Sequence, residues 1–262
     1  MSGPDSEHHE GGCLCGAVRF EVTGALPRVA ACHCDRCRSW SGHVWAASPV
    51  PHTAFRLTRD EGLDWVVSSE HVKRGFCRHC GSSLFWQDDR EDRIAVAAGA
   101  FDGPTGTRLE KDLCVEEAGD YYRIPGHETA RPEAPDRLTA ECLCGSVRFT
   151  LPGPAGAVTA CHCSQCRRSS GHFAASFDVD EASVVYESRE TLAEYETPGF
   201  ARRGFCRQCG SSLWYRAGDG AFAVEAGAIR GPTGGRLVLH IFTEDKGDYY
   251  EIGDDLLPPP KD

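Results

Sequence analysis

Residues 32–43 read CHCDRCRSWSGH, and the pattern returns at 161–172 as CHCSQCRRSSGH. Around it, CLCGAVRF (13–20) returns as CLCGSVRF (142–149), and GFCRHCGSSLFW (75–86) as GFCRQCGSSLWY (204–215). These copies stand 129 residues apart, and the spacing drops to 128 at GPTG (103 and 231) and GDYY (119 and 247). The chain is therefore an internal duplication, which has to be recognised before any single element is read. The one-residue difference is expected in the polar turn at 87–92, because a hairpin tip tolerates length change.

The duplication sets the domain plan. The first domain is expected over 10–125 and the second over 138–253, joined by a linker at 126–137 that mixes charges of both signs with Pro132 and Pro135. Residues 254–262 are expected to be an extended tail, because consecutive prolines cannot continue a helix or a sheet ladder. Within each copy AVRFEV and SVRFTL alternate apolar and polar residues, as do DRIAVAA and GAFAVEA, and Gly, Pro and Asp interrupt them at short intervals. No segment carries a long stripe of helical period. The expected class is all-β, with helix confined to short pieces near the linker or the CxCxxC loops.

Fourteen of the 15 cysteines repeat one order: CxC, then CxCxxC, then CxxC. Two thiolates on a tight turn can reach one tetrahedral metal, and pairs distant in sequence complete it. Seven thiolates per copy exceed one site. The simplest division is a closed four-cysteine zinc site and an open three-cysteine site, the distinction that separates structural from catalytic zinc. CxCxxC can hold a metal from one loop, which leaves CxC and CxxC to pair across the domain. The closed sites are then Cys13, Cys15, Cys77, Cys80 and Cys142, Cys144, Cys206, Cys209, and the open ones Cys32, Cys34, Cys37 and Cys161, Cys163, Cys166. This predicts two zinc ions per domain and four per chain. Disulfides, or a purely structural metal cluster, are the competing readings. A histidine could also close the trio, but His33 and His162 lie between two ligands and are expected to point away, into packing or a supporting contact.

With 262 residues and 40% hydrophobic content, the chain is of a globular class with room for two cores. The first 12 residues are polar, and no apolar run approaches the roughly 20 residues of a membrane-spanning helix. A cytoplasmic address is the expectation, and there cysteines read as metal ligands before disulfides. A net charge of -11 speaks against a nucleic-acid partner, since that affinity comes largely from Lys and Arg on phosphates.

On CLCGxVRF, CHCxxCR, FCRxCGSSL and the closing HIFTEDKGDYYEI (240–252), the sequence resembles the glutathione-dependent formaldehyde-activating enzyme (GFA) family, whose relatives include centromere protein V. The resemblance covers nearly all of both copies. It implies a tandem pair of β-tent domains, a structural zinc on CxC and CxxC, and a more labile catalytic zinc on CxCxxC. It further implies a carbon–sulfur lyase type of activity that forms S-hydroxymethylglutathione, with glutathione or another small thiol and a small aldehyde as partners. The second copy keeps His240 as the family does, whereas the first has Asp112.

Arg38 and Arg167 follow the open-site loops, and Arg74 and Arg203 precede the FCRxC knuckles. Either pair could hold a substrate carboxylate in a bidentate contact, or only offset thiolate charge. Ser39, Ser170, His43 and His172 are possible donors or loop caps, while Gly42 and Gly171 suit backbone turns. Cys114, whose counterpart is Phe242, reads as a small core residue, and Tyr121, Tyr122, Tyr249, Tyr250, Trp86 and Trp214 as core and rim aromatics. The rival function is a non-enzymatic zinc scaffold or interaction protein. Two copies in one chain can replace a homodimer by a pseudo-dimer, so the expectation is a monomer, with a homodimer as the alternative.

Overall fold

The computed structural model of the protein describes residues 7–128 and 130–253, so the tail expected at 254–262 lies outside the described residues. The first copy runs β1 (His8–Gly12), β2 (Arg19–Thr23), β3 (Val29–Cys32), α1 (Asp35–Ser41), β4 (Trp45–Pro51), β5 (Phe55–Arg59), β6 (Leu63–Ser69), β7 (Val72–Cys77), β8 (Ser83–Asp88), β9 (Arg93–Ala97) and β10 (Leu109–Leu113). The second repeats it as β11 (Arg137–Glu141), β12 (Arg148–Pro152), β13 (Ala157–Cys161), α2 (Ser164–Ser170), β14 (Ala174–Asp178), β15 (Val185–Ser188), β16 (Leu192–Glu196), β17 (Arg202–Cys206), β18 (Ser212–Arg216), β19 (Phe222–Glu225) and β20 (Arg236–Ile241). The all-β expectation holds. Among the described residues the α-helices are two seven-residue pieces, and both grow out of the CxCxxC loops.

Each copy has a three-stranded sheet, β1-β2-β5 or β11-β12-β15, and a seven-stranded sheet, β10-β3-β4-β9-β8-β7-β6 or its equivalent. Alternation explains the small sheet: Phe20 and Val22 of β2 are buried, while Arg19, Glu21 and Thr23 between them are not. The large sheet is antiparallel except at its edge, where β10 lies parallel to β3 and places Leu113 beside Cys32. The homologous pairs Phe85↔Val96 and Trp214↔Val224 bracket the β8–β9 and β18–β19 turns, so the one-residue length difference falls where the polar turn is.

The copies interlock through contacts related by a pseudo-twofold. Gly99 N–H donates to the Gly171 carbonyl at 2.9 Å, and Gly227 N–H to Gly42 at 2.8 Å. Asp248 accepts from Thr105 Oγ1 at 2.8 Å, and Asp120 accepts from Thr233 Oγ1 at 2.8 Å. Each GDYY turn is thus tied to the GPTG turn of the other copy. The left-handed glycines Gly81 (φ 75°) and Gly210 (φ 76°) lie flat on Phe205 and Phe76 of the opposite copy, and a Cβ there would come within 2.6 and 2.4 Å of the rings. One hydrophobic cluster accordingly draws on both copies, joining Val29, Ala31 and Tyr121 to Phe149, Trp214 and Tyr249. No helix is long and apolar enough to cross a membrane, among the described residues.

Candidate metal centres

The chain brings together the two four-cysteine groups read from spacing. The sulfurs of Cys13, Cys15, Cys77 and Cys80 lie within 4.8 Å of one another, as do those of Cys142, Cys144, Cys206 and Cys209. Cys13 and Cys15 Sγ are 3.5 Å apart and Cys15 and Cys77 3.6 Å, with 3.5 and 3.7 Å for the corresponding pairs of the second copy. Four ligands around zinc at Zn–S distances of about 2.3 Å stand about 3.8 Å apart, whereas a disulfide needs about 2.05 Å. All 15 cysteines are free thiols, so the spacing fits a metal and excludes disulfides. Backbone N–H groups of Val18 and Val147 reach Cys13 and Cys142 Sγ at 3.2 Å, the contact that stabilises a thiolate. Hydrogen bonds from Cys77 and Cys80 hold Cys13 down at about 2 against the effect of burial.

Sequence reading missed the residues that fix these knuckles. Ser82 Oγ accepts from Leu14 N–H at 3.0 Å while lying 3.3 Å from Cys80 Sγ, and Ser211 does the same with Leu143 and Cys209 at 2.8 and 3.2 Å. Both serines are fully buried and pin the CxC turn to the CxxC turn. The repeated GSS was the available signal, since a buried hydroxyl requires a partner.

The open trios form as expected. Cys32, Cys34 and Cys37 sulfurs lie within 4.8 Å of one another, and so do Cys161, Cys163 and Cys166. The helix makes this geometry: Cys34 is the N-cap of α1 and its sulfur accepts from Cys37 N–H at 3.4 Å, with Cys163 and Cys166 alike at 3.5 Å. Both helices end in a left-handed glycine, Gly42 (φ 85°) or Gly171 (φ 84°), which fulfils the turn role expected of them. One thiol of each trio is held far below the ordinary range. Cys37 is held there by Cys32, Cys34 and then Arg74, and Cys163, at about 2, by Cys161 and Cys166. The other two thiols of each trio are pushed up by neighbouring sulfurs and by burial, so three thiolates this close together need a cation such as zinc to hold them.

Arg74 and Arg203 stand on the trios themselves. Arg74 Nη1 and Nη2 lie 3.6 and 3.5 Å from Cys37 Sγ, and Arg203 Nη2 lies 3.4 Å from Cys166 Sγ. Both guanidiniums are at least 95% buried, which directs them at the thiolates and away from solvent. Arg38 Nε donates to the His33 carbonyl at 3.2 Å and its guanidinium lies 3.5 Å from Asp35, while Arg167 Nε donates to the Asp245 carbonyl at 2.9 Å.

The histidines pair with the tyrosines. His33 meets Tyr122 through Nδ1 at 2.9 Å and Asp112 through Nε2 at 2.9 Å. His162 meets Tyr250 and His240, each at 2.7 Å. Both rings therefore use both nitrogens away from sulfur. His43 and His172 contact Tyr121 and Tyr249 at 2.7 and 2.8 Å, and burial lowers both histidines well below their usual pKa. Ser39 is fully buried, and Ser170 Oγ donates back to the Cys166 carbonyl at 2.9 Å. The four tyrosines and Trp214 are core residues, and Trp86 is half-buried.

One expectation is overturned. Cys114 is exposed, not in the core, because it follows the edge strand β10, whose residues face solvent, and turns the chain in a left-handed conformation (φ 54°, ψ 45°). Phe242 adopts the same turn and is 49% exposed. The copies also differ at the seam: Glu225 is buried beside Gly42 and Arg203, and its counterpart is Ala97.

Comparison with known proteins shows the family of the chain. An uncharacterised lyase of Schizosaccharomyces pombe is 27% identical over 44% of this chain and 83% of its own. A Halomonas elongata protein, provisionally named a glutathione-dependent formaldehyde-activating enzyme, is 29% identical over 50% of this chain and 92% of its own. A crystal structure of a Rhodobacter sphaeroides protein aligns at 23% identity with a TM-score of 0.32, over 36% of this chain and 88% of that one. The profile of the family described as glutathione-dependent formaldehyde-activating enzyme matches residues 8–117 and again 137–245. The chain therefore belongs to the glutathione-dependent formaldehyde-activating enzyme family and carries its domain twice.

Proposed function

We propose that the chain is a zinc enzyme that joins a small thiol such as glutathione to a small aldehyde such as formaldehyde, and splits the adduct in the reverse, carbon–sulfur lyase sense. The observation that carries this is the three-sulfur cluster at each helix N-cap, within which, among the described residues, no fourth protein ligand lies. Cys32, Cys34 and Cys37, and Cys161, Cys163 and Cys166, are the residues that would hold the catalytic zinc, and the four-cysteine groups the structural zinc, four ions in all. Zinc bound to three thiolates supplies a position where an incoming thiol sheds its proton near neutral pH.

The chain's own residues prepare that position. Arg74 and Arg203 place positive charge on one sulfur of each trio, which reduces the negative charge of the cluster and favours binding of another anionic sulfur. Their burial leaves substrate carboxylates to more accessible groups, of which the half-buried Arg167 is the candidate, whereas Arg38 is itself buried. The His33–Tyr122 and His162–Tyr250 pairs hold the loops that present the ligands. In the reaction the thiol sulfur bonds to the carbonyl carbon, and its proton ends on the new hydroxyl oxygen. Such an adduct also forms unaided, so the test is a rate: magnetisation transfer between labelled formaldehyde and S-hydroxymethylglutathione by NMR. Zinc-loaded wild type should accelerate exchange, and the double variant Cys34→Ser, Cys163→Ser should lose it by at least about a hundredfold. Wild-type rates in the folded double variant would sink the proposal.

A further inference from the structure

The two open trios are chemically unequal at one neighbouring position. In the first copy, the Leu113 carbonyl accepts from His33 N–H at 2.9 Å, and Leu113 pairs with Cys32 in the parallel β10–β3 ladder. The next residue is Cys114, which turns the chain in a left-handed conformation immediately after the strand that pairs with Cys32. Burial and the charge of Cys34 push its thiol up, with Cys32 working in the opposite direction. In the second copy the equivalent ladder, Ile241 beside Cys161, leads to the same turn, but the residue is Phe242, which offers no donor.

We propose that Cys114 is a fourth sulfur ligand of the first trio, which makes it a closed four-cysteine centre and leaves the second trio as the one that accepts an external thiol. This rests on the reading of the trios as zinc sites and deepens it. Four sulfurs complete a tetrahedral zinc site, and a thiol tethered to the next strand competes at an effective concentration that a dissolved thiol does not reach. In the structure Cys114 sits toward Glu116 and Glu117 and outside the tight set formed by the trio. Its exposed side chain has to swing over, with loss of the thiol proton to water. The other difference at the mouth points the same way: the first copy presents Asp112 where the second has His240, so the first is also the less favourable host for an anionic thiol.

The experiment counts zinc in the full-length protein. Total zinc is measured by mass spectrometry, and the fraction taken rapidly by the chromogenic chelator pyridylazoresorcinol is measured for wild type, Cys114→Ser and Phe242→Cys. The expected wild type holds four zinc ions and yields one quickly; Cys114→Ser yields one more, and Phe242→Cys yields one fewer. Alkylation of the zinc-loaded wild type should label Cys114 at least about tenfold more slowly than it does in the Cys32→Ser, Cys37→Ser variant, which cannot hold zinc at the first trio. A Cys114→Ser variant with an unchanged count of quickly released zinc, and equal labelling of Cys114 in wild type and the Cys32→Ser, Cys37→Ser variant, overturns the proposal. A total of two zinc ions in wild type means instead that the trios hold no metal, which refutes the underlying reading and takes this inference with it.

Discussion

Glu225 offers the sharpest test of the energetics at the seam between copies. Its carboxyl is fully buried beside Arg203, and Oε2 has no hydrogen-bond partner. Burial pushes its pKa up from 4.5 to about 7, with Arg203 working in the opposite direction. A carboxyl whose folded pKa exceeds its unfolded one is held more tightly as the acid in the folded chain. Its contribution is therefore fully present below pH 4.5 and is lost as pH rises through about 7. A gap of about 2.5 pKa units at ~1.36 kcal/mol each amounts to about 3 kcal/mol of stability lost by pH 8. Glutamine keeps the shape of the neutral acid at every pH. In urea unfolding followed by circular dichroism at matched zinc content, Glu225→Gln should exceed wild type by about 3 kcal/mol at pH 8 and by roughly 1 kcal/mol or less at pH 5. A difference that does not change with pH, or a wild type that is the more stable at pH 8, would mean an ionised carboxylate paired with Arg203 and would refute the reasoning.

Other outcomes follow from contacts already described. Asp120→Asn weakens the tie to Thr233 and Gly234 across the copies, and should lower stability by about 1.5–3 kcal/mol in the same urea assay, with Asp248→Asn behaving alike. Arg203 works to lower the proton affinity of Cys166. Arg203→Met should therefore make protons compete better for that sulfur, so that zinc leaves the second trio at a higher pH than in wild type; a titration with a zinc indicator reads the midpoint, and an unmoved midpoint would remove Arg203 from this role.

Much of the fold was legible because its signals are local. Alternation in AVRFEV and SVRFTL marks strands that appear as β2 and β12, and the cysteine spacings mark turns that need only a few residues to form. The grouping of CxC with CxxC was also accessible, because tetrahedral zinc demands four donors and the trio already occupies one loop. What escaped reading depends on residues far apart in the chain. Nothing around Asp120 shows that its partner is Thr233 of the other copy and not Thr105 of its own, since the GPTG motif occurs twice. The pairing of His33 with Tyr122 and His43 with Tyr121 leaves no periodic trace, and the burial of Arg74 and Arg203 becomes visible only when β7 and β17 lie behind the helices. Cys114 was misplaced for the same reason: its setting is fixed by β10 being an edge strand, and edges are a property of the sheet.

The crossed ties between GDYY and GPTG carry a consequence for how such a protein can change over time. In an assembly of two identical chains, every substitution occurs on both sides of the symmetry axis, so a buried acid at one mate position brings a second at the other. With both halves encoded in one chain, each position mutates alone. Glu225 can face Gly42 while Ala97 takes the mate position, and Asp112 can differ from His240, without disturbing the Asp–Thr ties that hold the halves together. Fusion thus turns a symmetric object into one whose halves are free to acquire different chemistry on a shared frame.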